Sequence, residues 1–241
     1  MLLKDRFTHI GHFFFKYRSY LPLVMLLVFF EERGHFLNIV DNIFYEMFCI
    51  FVALSGIVIR ILTLGFVHEG TSGRNTKTQK AAELNTTGAY SIIRNPLYLG
   101  NYLILLGMSL LAQNHEVVIF NTAIFVIIYI PIIFTEESFL IEKFGEEYIR
   151  YARTVNCMLP GFKNFRTPDK EFNIKIVLKR EHDTWFASVI SLVLVELMRE
   201  YGSSGTINLA PFWSSIIIGI GSVWVILKYL KRTNKLVLKN G

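Results

Sequence analysis

The chain has 241 residues, of which 52% are hydrophobic and only 18% charged, and its mean hydropathy is +0.41. Soluble domains carry roughly 25% charged residues, and a chain with 21 Phe and 11 Tyr is too aromatic to be disordered, so an ordinary water-soluble enzyme and a flexible tail protein are both disfavoured. The formal net charge of +6 would suit nucleic acid, but the placement of the basic residues argues for a bilayer, and two cysteines make neither a disulfide framework nor a paired-cysteine metal site.

Crossing a membrane as a helix takes about 20 apolar residues. Six stretches qualify or come close, in chain order Tyr20–Phe30, Ile43–Val67, Leu97–Ala112, Val117–Thr135, Trp185–Met198 and Pro211–Leu230. The first and fifth are short. Only a few polar residues, Gln113-Asn114-His115-Glu116, separate the third from the fourth, which predicts an antiparallel helical hairpin. The expected fold is all-α and polytopic, with about six transmembrane helices.

Loop charge sets the expected orientation. Of the 25 Lys and Arg, all but Arg33, Arg60 and Arg199 fall in four groups: the N-terminal segment, the loop after the second span, the stretch after the fourth, and the C-terminal tail. With six spans these groups share one face, so both termini are expected in the cytoplasm. The run Leu21–Phe30 is followed by Glu31-Glu32-Arg33 and not by a small-residue cleavage site, so it does not read as a cleaved signal. The polar, mixed-charge segment Thr167–Asp183 reads as a linker or surface segment.

Two stretches on the basic face carry chemistry. The first runs from His68 to Asn101 and contains Arg74, Lys77 and the sequence Gly88-Ala89-Tyr90-Ser91-Ile92-Ile93-Arg94-Asn95-Pro96-Leu97-Tyr98-Leu99-Gly100. Gly88 permits a sharp turn, Pro96 suits the first turn of a helix and Asn95 its cap. The second is Glu136–Tyr151, read as an amphipathic helix lying along the interface. Glu136 and Glu137 follow a long apolar run, where acids are costly unless paired or facing water. The hairpin brings Arg94 to the same mouth as these acids, which predicts a polar pocket there.

The pattern Gly88-x-Tyr90-x-x-x-Arg94-x-Pro96-x-Tyr98-x-Gly100, then Glu136-Glu137, then Phe144-Gly145-Glu146-x-Tyr148-x-x-Tyr151 and Pro160, resembles the integral-membrane methyltransferases, which include isoprenylcysteine carboxyl methyltransferases and phospholipid methyltransferases. The likeness covers roughly Ile43–Pro160. It implies S-adenosyl-L-methionine as cofactor, bound at the cytoplasmic mouth of a helical-hairpin core. Carried over by residue, it implies main-chain contacts from Glu83, Leu84 and Asn85, Tyr90 at the adenosine or sulfonium end, Asn95, Pro96, Leu97 and Tyr98 bracketing the cofactor, and Glu136 at its polar end. Arg94 and Glu137 are the implied catalytic residues, with Arg94 orienting the cofactor carboxylate or the acceptor. Arg74 and Lys77 are candidates for holding an anionic headgroup. Two positions depart from the pattern. Asn95 stands where the family has His, which removes the titratable proton, and Ile132 stands where the prenylcysteine enzymes carry a substrate-binding Arg.

The implied division is an N-terminal span and external loop (1–42), the methyltransferase-like core (43–160), a cytoplasmic linker (161–183) and a C-terminal two-helix hairpin (184–241). The expected reaction is methyl transfer to a membrane-embedded lipid or lipid-linked acceptor, with an anionic phosphate or carboxylate oxygen preferred because it needs no base. Methylation of a lipid amine headgroup or of a prenylated cysteine carboxylate are alternatives. So are a membrane reductase using a nicotinamide cofactor and a non-enzymatic scaffold or transporter component. The expected partners are the bilayer and its lipid, without nucleic acid; oligomeric state is open, and the six His show no metal-ligand spacing. Arg60 and Glu46 read as snorkelling side chains, Cys49 as core, Cys157 as a reduced bystander, and Gly56, Gly107, Gly219 and Gly221 as close-packing positions.

Overall fold

A computed structural model describes residues 10–11, 13–16, 42–67, 81–206 and 211–233. The expected first span, the loop bearing Arg74 and Lys77, and the end of the basic tail lie outside the described residues. Among those described there is no strand, and the elements in order are α1 (Ile43–Gly65), the single turn α2 (Ala89–Ile92), α3 (Pro96–Leu111), α4 (His115–Phe144), α5 (Glu146–Thr154), a 3-10 turn (Phe162–Asn164), α6 (Ile174–Ser204) and α7 (Pro211–Arg232). Three of these helices are long and apolar enough to cross a membrane: α1, α4 and the Trp213–Arg232 part of α7. α3, at 16 residues, spans about 24 Å. The chain is a polytopic helical membrane protein.

α1 and α3 run antiparallel in close contact. A Cβ on Gly107 would sit 2.6 Å from the Cys49 carbonyl oxygen, and one on Gly56 would strike the Gly100 carbonyl, so both positions need glycine for the backbones to meet. Gly219 and Gly221 are different: nothing among the described residues lies within 4 Å of a Cβ there, and they serve no close packing among those residues. Asn114 caps α4 by accepting from the Glu116 and Val117 amides at 2.8 and 3.4 Å, which fixes the hairpin turn. Phe44, Phe51, Phe120, Ile127 and Phe134 point outward from α1 and α4, as lipid-facing side chains should. Cys49, Ala53, Met108, Leu111 and Val117 form the buried core with Leu192 and Val195 of α6.

Two boundaries differ from the sequence reading. The amphipathic helix expected over Glu136–Tyr151 is two elements: its first nine residues continue α4, and α5 begins after a break at Gly145. The segment read as a linker contains the start of α6, which begins at Ile174, capped by the Asn173 side chain and tied to α1 by the Asn173 amide donating to the Gly65 carbonyl at 2.8 Å. Periodicity misses both because charges interrupt the apolar pattern while the backbone continues.

Gly88 and Gly145 explain the glycines of the motif pair. Their φ/ψ values, 58°/−129° and 54°/−128°, lie in a region that is essentially glycine-only. Gly145→Ala meets no described residue within 4 Å, so its cost there is conformational, about 1–3 kcal/mol. A lowered thermal midpoint in detergent is expected for Gly145→Ala, and no loss for Gly219→Ala, where the site is open and helical and alanine is the better helix former.

Candidate functional site

At one end of the bundle the chain from Ala81 through α2 meets the start of α3, the end of α4, α5 and the segment after it. Residues 155–168 form a strap along α2. The Arg94 amide donates to the Asn156 carbonyl, the Gly161 amide to Ile92 and the Gly88 amide to Arg166, each at 2.9 Å. The Ser91 hydroxyl donates to the Gly88 carbonyl at 2.7 Å and accepts from the Arg166 amide at 3.0 Å.

Arg94 is the hub of this end. Its Nε donates to Glu137 Oε1 at 2.9 Å and its Nη2 to Oε2 at 3.2 Å. Its Nη1 donates to the carbonyls of Ala152 and Val155 at 2.8 and 2.9 Å. Those carbonyls close α5, so the cation also sits at the negative end of that helix. Desolvation pulls the guanidinium down, but the bond and charge of Glu137 outweigh it and hold Arg94 above its ordinary value. Burial, then Glu137, pushes the Tyr148 phenol and the Cys157 thiol up. Asn95 stands at the start of α3 but its side chain does not cap the helix; Nδ2 donates instead to the Cys157 carbonyl at 3.2 Å.

The two adjacent acids face different surroundings. Glu137 belongs to Arg94. Glu136 acts on Tyr90, whose phenol is raised by burial and by Glu136, against the opposing charges of Arg180 and Arg60. The Tyr151 hydroxyl donates to the Tyr90 carbonyl at 2.8 Å, and its own phenol is raised by burial and then by Tyr90.

Beneath Tyr90 lies a layer that the sequence did not disclose. Arg60 does not snorkel: its Nε and Nη2 donate to both oxygens of Glu181 at 2.7 Å. Its Nη1 donates to Asn101 Oδ1 at 2.5 Å and to the Leu97 carbonyl at 3.4 Å. Asn101 Nδ2 reaches the Tyr129 hydroxyl at 3.2 Å, and the Tyr129 ring meets Tyr98 edge-on with centroids 5.0 Å apart. One chain of polar contacts thus joins α1, α6, α3 and α4. Glu46 is also paired and does not snorkel; at the opposite end Arg199 donates to it at 2.5 Å and to Glu196 at 2.7 Å.

The structure brings Arg94, Glu137 and, through Cys157, Asn95 into one cluster; Glu136 lies within electrostatic reach of Tyr90, and the Leu97 carbonyl accepts from Arg60. Pro96 is buried at the first turn of α3, and Tyr98 is buried in an apolar cluster with Phe125 and Ile132. Leu84 and Asn85 are half-buried in the non-helical approach to Gly88, while Glu83 is exposed. Arg60, Asn101, Glu181 and Arg180 were missed. The signal for Arg60 and Glu181 was the presence of charges inside or beside apolar runs, but each finds its partner across 121 positions of sequence, beyond any local pattern. A hollow of about 500 Å³ at the far end, lined by Tyr45, Leu110, His115 and Val118 among others, shares none of these residues.

The fold and this end of it define a class: a polytopic helical membrane protein whose polar residues converge on the mouth of a helical hairpin. Residues 46–147, from α1 into α5, match the family model described as phospholipid methyltransferase, and over that segment the resemblance drawn from the motif pair holds. Over 95 residues, 39% of this chain and 41% of the relative, the sequence is 34% identical to the cobalt-zinc-cadmium resistance protein CzcN of Cupriavidus metallidurans. Over 89 residues, 37% of this chain and 41% of the relative, it is 30% identical to the nickel-cobalt-cadmium resistance protein NccN of Alcaligenes xylosoxydans xylosoxydans. A methanethiol S-methyltransferase of Crocosphaera subtropica is 26% identical over 158 residues, 60% of this chain and 59% of that enzyme. The chain therefore spans about two fifths of the two resistance proteins and 59% of the methanethiol enzyme, under two thirds of each. No solved structure matches it.

Proposed function

We propose that the protein is an S-adenosyl-L-methionine-dependent methyltransferase acting on a membrane-embedded lipid or lipid-linked acceptor through an anionic oxygen, with both termini and the site in the cytoplasm. The observation that carries this reading is the pairing of Arg94 with Glu137 across 43 positions, which joins the two motifs into one mouth. The side chains there suit the cofactor's chemistry. S-adenosyl-L-methionine has a zwitterionic amino-acid end, a sulfonium and an adenosine. In this reading Glu136 takes the ammonium and Arg180 the carboxylate, Tyr90 lies by the sulfonium, and the peptide groups of Glu83, Leu84 and Asn85 meet the adenosine. Asn95, Pro96, Leu97 and Tyr98 form the wall behind. A cation against an aromatic face is worth roughly 0.5–2 kcal/mol.

Bound there, the cofactor supplies an electrophilic methyl group on sulfur. The chain's own task is to position the acceptor and exclude water. Arg94 has four of its donors committed to Glu137 and the end of α5, so its role and that of Glu137 is to position the mouth; Arg180 is assigned to the cofactor carboxylate for its charge near Tyr90, and Arg74 and Lys77 to an anionic headgroup. The preference for an oxyanion rests on proton chemistry. The phenols of Tyr90, Tyr148 and Tyr151 are all pushed above their ordinary values, so they stay protonated at neutral pH and are poor bases. Ile132 is fully buried among Tyr98, Phe125 and Tyr129, leaving no cation at the position where prenylcysteine enzymes bind their carboxylate. A small thiol is the second reading, favoured by the likeness to the methanethiol enzyme, which runs over 158 residues.

The test is calorimetric binding of S-adenosyl-L-methionine to protein in nanodiscs, followed by incubation with methyl-labelled cofactor and either total lipid extract or methanethiol. Binding to the wild type is expected, weakened at least about tenfold in Glu136→Gln and in Arg180→Ala, since a hydrogen bond to a charged group is worth roughly 1.5–3 kcal/mol. Label should appear in an acidic lipid. Label in dimethyl sulfide alone selects the thiol, and absence of binding by folded wild type overturns the methyltransferase reading.

A further inference from the structure

The strap 155–168 carries side chains that its role along α2 does not use. Leu159, Phe162 and Phe165 are 74%, 72% and 53% exposed. They recur every three residues, and Phe162 opens the 3-10 turn that Phe165 follows; residues three apart eclipse in that geometry, so these two rings leave the strap on one side. Lys163 and Arg166 interleave with them at the same spacing and are exposed too, with no acid between Val155 and Pro168. The strap's own bonds prevent the apolar groups from folding inward, because its backbone is pinned at Asn156, Gly161 and Arg166 to Arg94, Ile92 and Gly88.

Depth follows from Arg94, which bonds both to Glu137 and to the Val155 carbonyl. The long uncharged run of α4, Val117–Thr135, ends just before the acid pair, and Glu137 lies two residues on, about 3 Å along the axis. The strap therefore starts at the level where hydrocarbon gives way to headgroups. Exposed Leu and Phe there are costly in water and favourable at the acyl boundary, and interleaved Lys and Arg suit anionic phosphates.

We propose that the strap is a bilayer-docking element: Leu159, Phe162 and Phe165 insert at the acyl boundary while Lys163 and Arg166 hold anionic phospholipid headgroups. The docking orders a wall of the mouth, since the same strap is bonded to Gly88 and Arg94. It stands whichever acceptor the site takes.

The test places a single cysteine, Phe162→Cys, in the full chain bearing Cys49→Ala and Cys157→Ala, labels it with an environment-sensitive fluorophore, and reconstitutes it in nanodiscs of phosphatidylcholine with or without phosphatidylglycerol. Expected are blue-shifted emission, quenching by lipids spin-labelled near the headgroup, and deeper quenching with the anionic lipid. Lys163→Glu with Arg166→Glu should remove that increment and leave the thermal midpoint unchanged. Emission as in water, with equal iodide quenching in every lipid, overturns the proposal. Should the cysteine-free background fail to fold, hydrogen exchange of residues 155–168 in the wild type decides: slower exchange with phosphatidylglycerol supports docking, and identical exchange in both lipids refutes it.

Discussion

Arg94→Ala should abolish stable folding of the mouth, with a loss of about 3–5 kcal/mol, the range for removing one partner of a buried ion pair. The side chains of Arg94 and Glu137 are only 15% and 21% exposed, so the loss needs little discount for solvent. The substitution leaves the Glu137 carboxylate without its cation and the carbonyls of Ala152 and Val155 without their donors, which frees α5 and the strap together. Arg94→Lys should recover little, because an ammonium cannot present the fork that meets a carboxylate and two carbonyls in one plane. Glu137→Gln should cost less than Arg94→Ala, since the amide oxygen still accepts one bond from the guanidinium and both carbonyls stay capped. Thermal unfolding in detergent and protease sensitivity at residues 145–168 check the order. If Arg94→Ala keeps the wild-type midpoint and loses only turnover, Arg94 touches the reacting groups directly and the positioning role fails.

That role also shows what could be read from the chain. The meeting of Arg94 with the acid pair was legible because the hairpin turn is short: Asn114 caps α4 within three residues of the end of α3, so the helices must return side by side. Which acid it would meet was not legible, since Glu136 and Glu137 differ only by about 100° around the helix. The motif glycines were legible as turns, and the structure supplies the reason in their positive φ. Asn95 does stand at the N-cap position that its residue type suits, but its side chain is drawn to the Cys157 carbonyl on the strap and not to the helix's own amides, which residue type alone does not show. Gly219 and Gly221 were misread because a glycine in a span marks a close approach only if a second helix arrives there. Arg60 and Glu46 were misread for one physical reason. Snorkelling is the default for a lone charge in a span, and neither charge is alone once α6 packs on α1, with Glu181 near one end of the contact and Arg199 near the other.

This last pairing yields the second large effect. Glu181 and Arg60 have side chains 2% and 12% exposed, so Glu181→Ala should lower stability by about 3–5 kcal/mol by stranding a cation inside the bundle. The double substitution Arg60→Met with Glu181→Leu should return most of that loss, because two charges replaced by apolar groups of similar volume no longer need solvation or each other. Stability and function should then separate. Arg60 also holds Asn101 Oδ1, and through it the Tyr129 hydroxyl and the wall beneath Tyr98. The double variant is therefore expected to unfold near the wild-type temperature while binding S-adenosyl-L-methionine at least about tenfold more weakly, the equivalent of roughly 1.4 kcal/mol. Full binding restored together with stability would reduce the Arg60–Glu181 pair to a rivet between α1 and α6. Weak binding in a stable protein would make α6, although it lies outside the matched segment 46–147, a working part of the mouth.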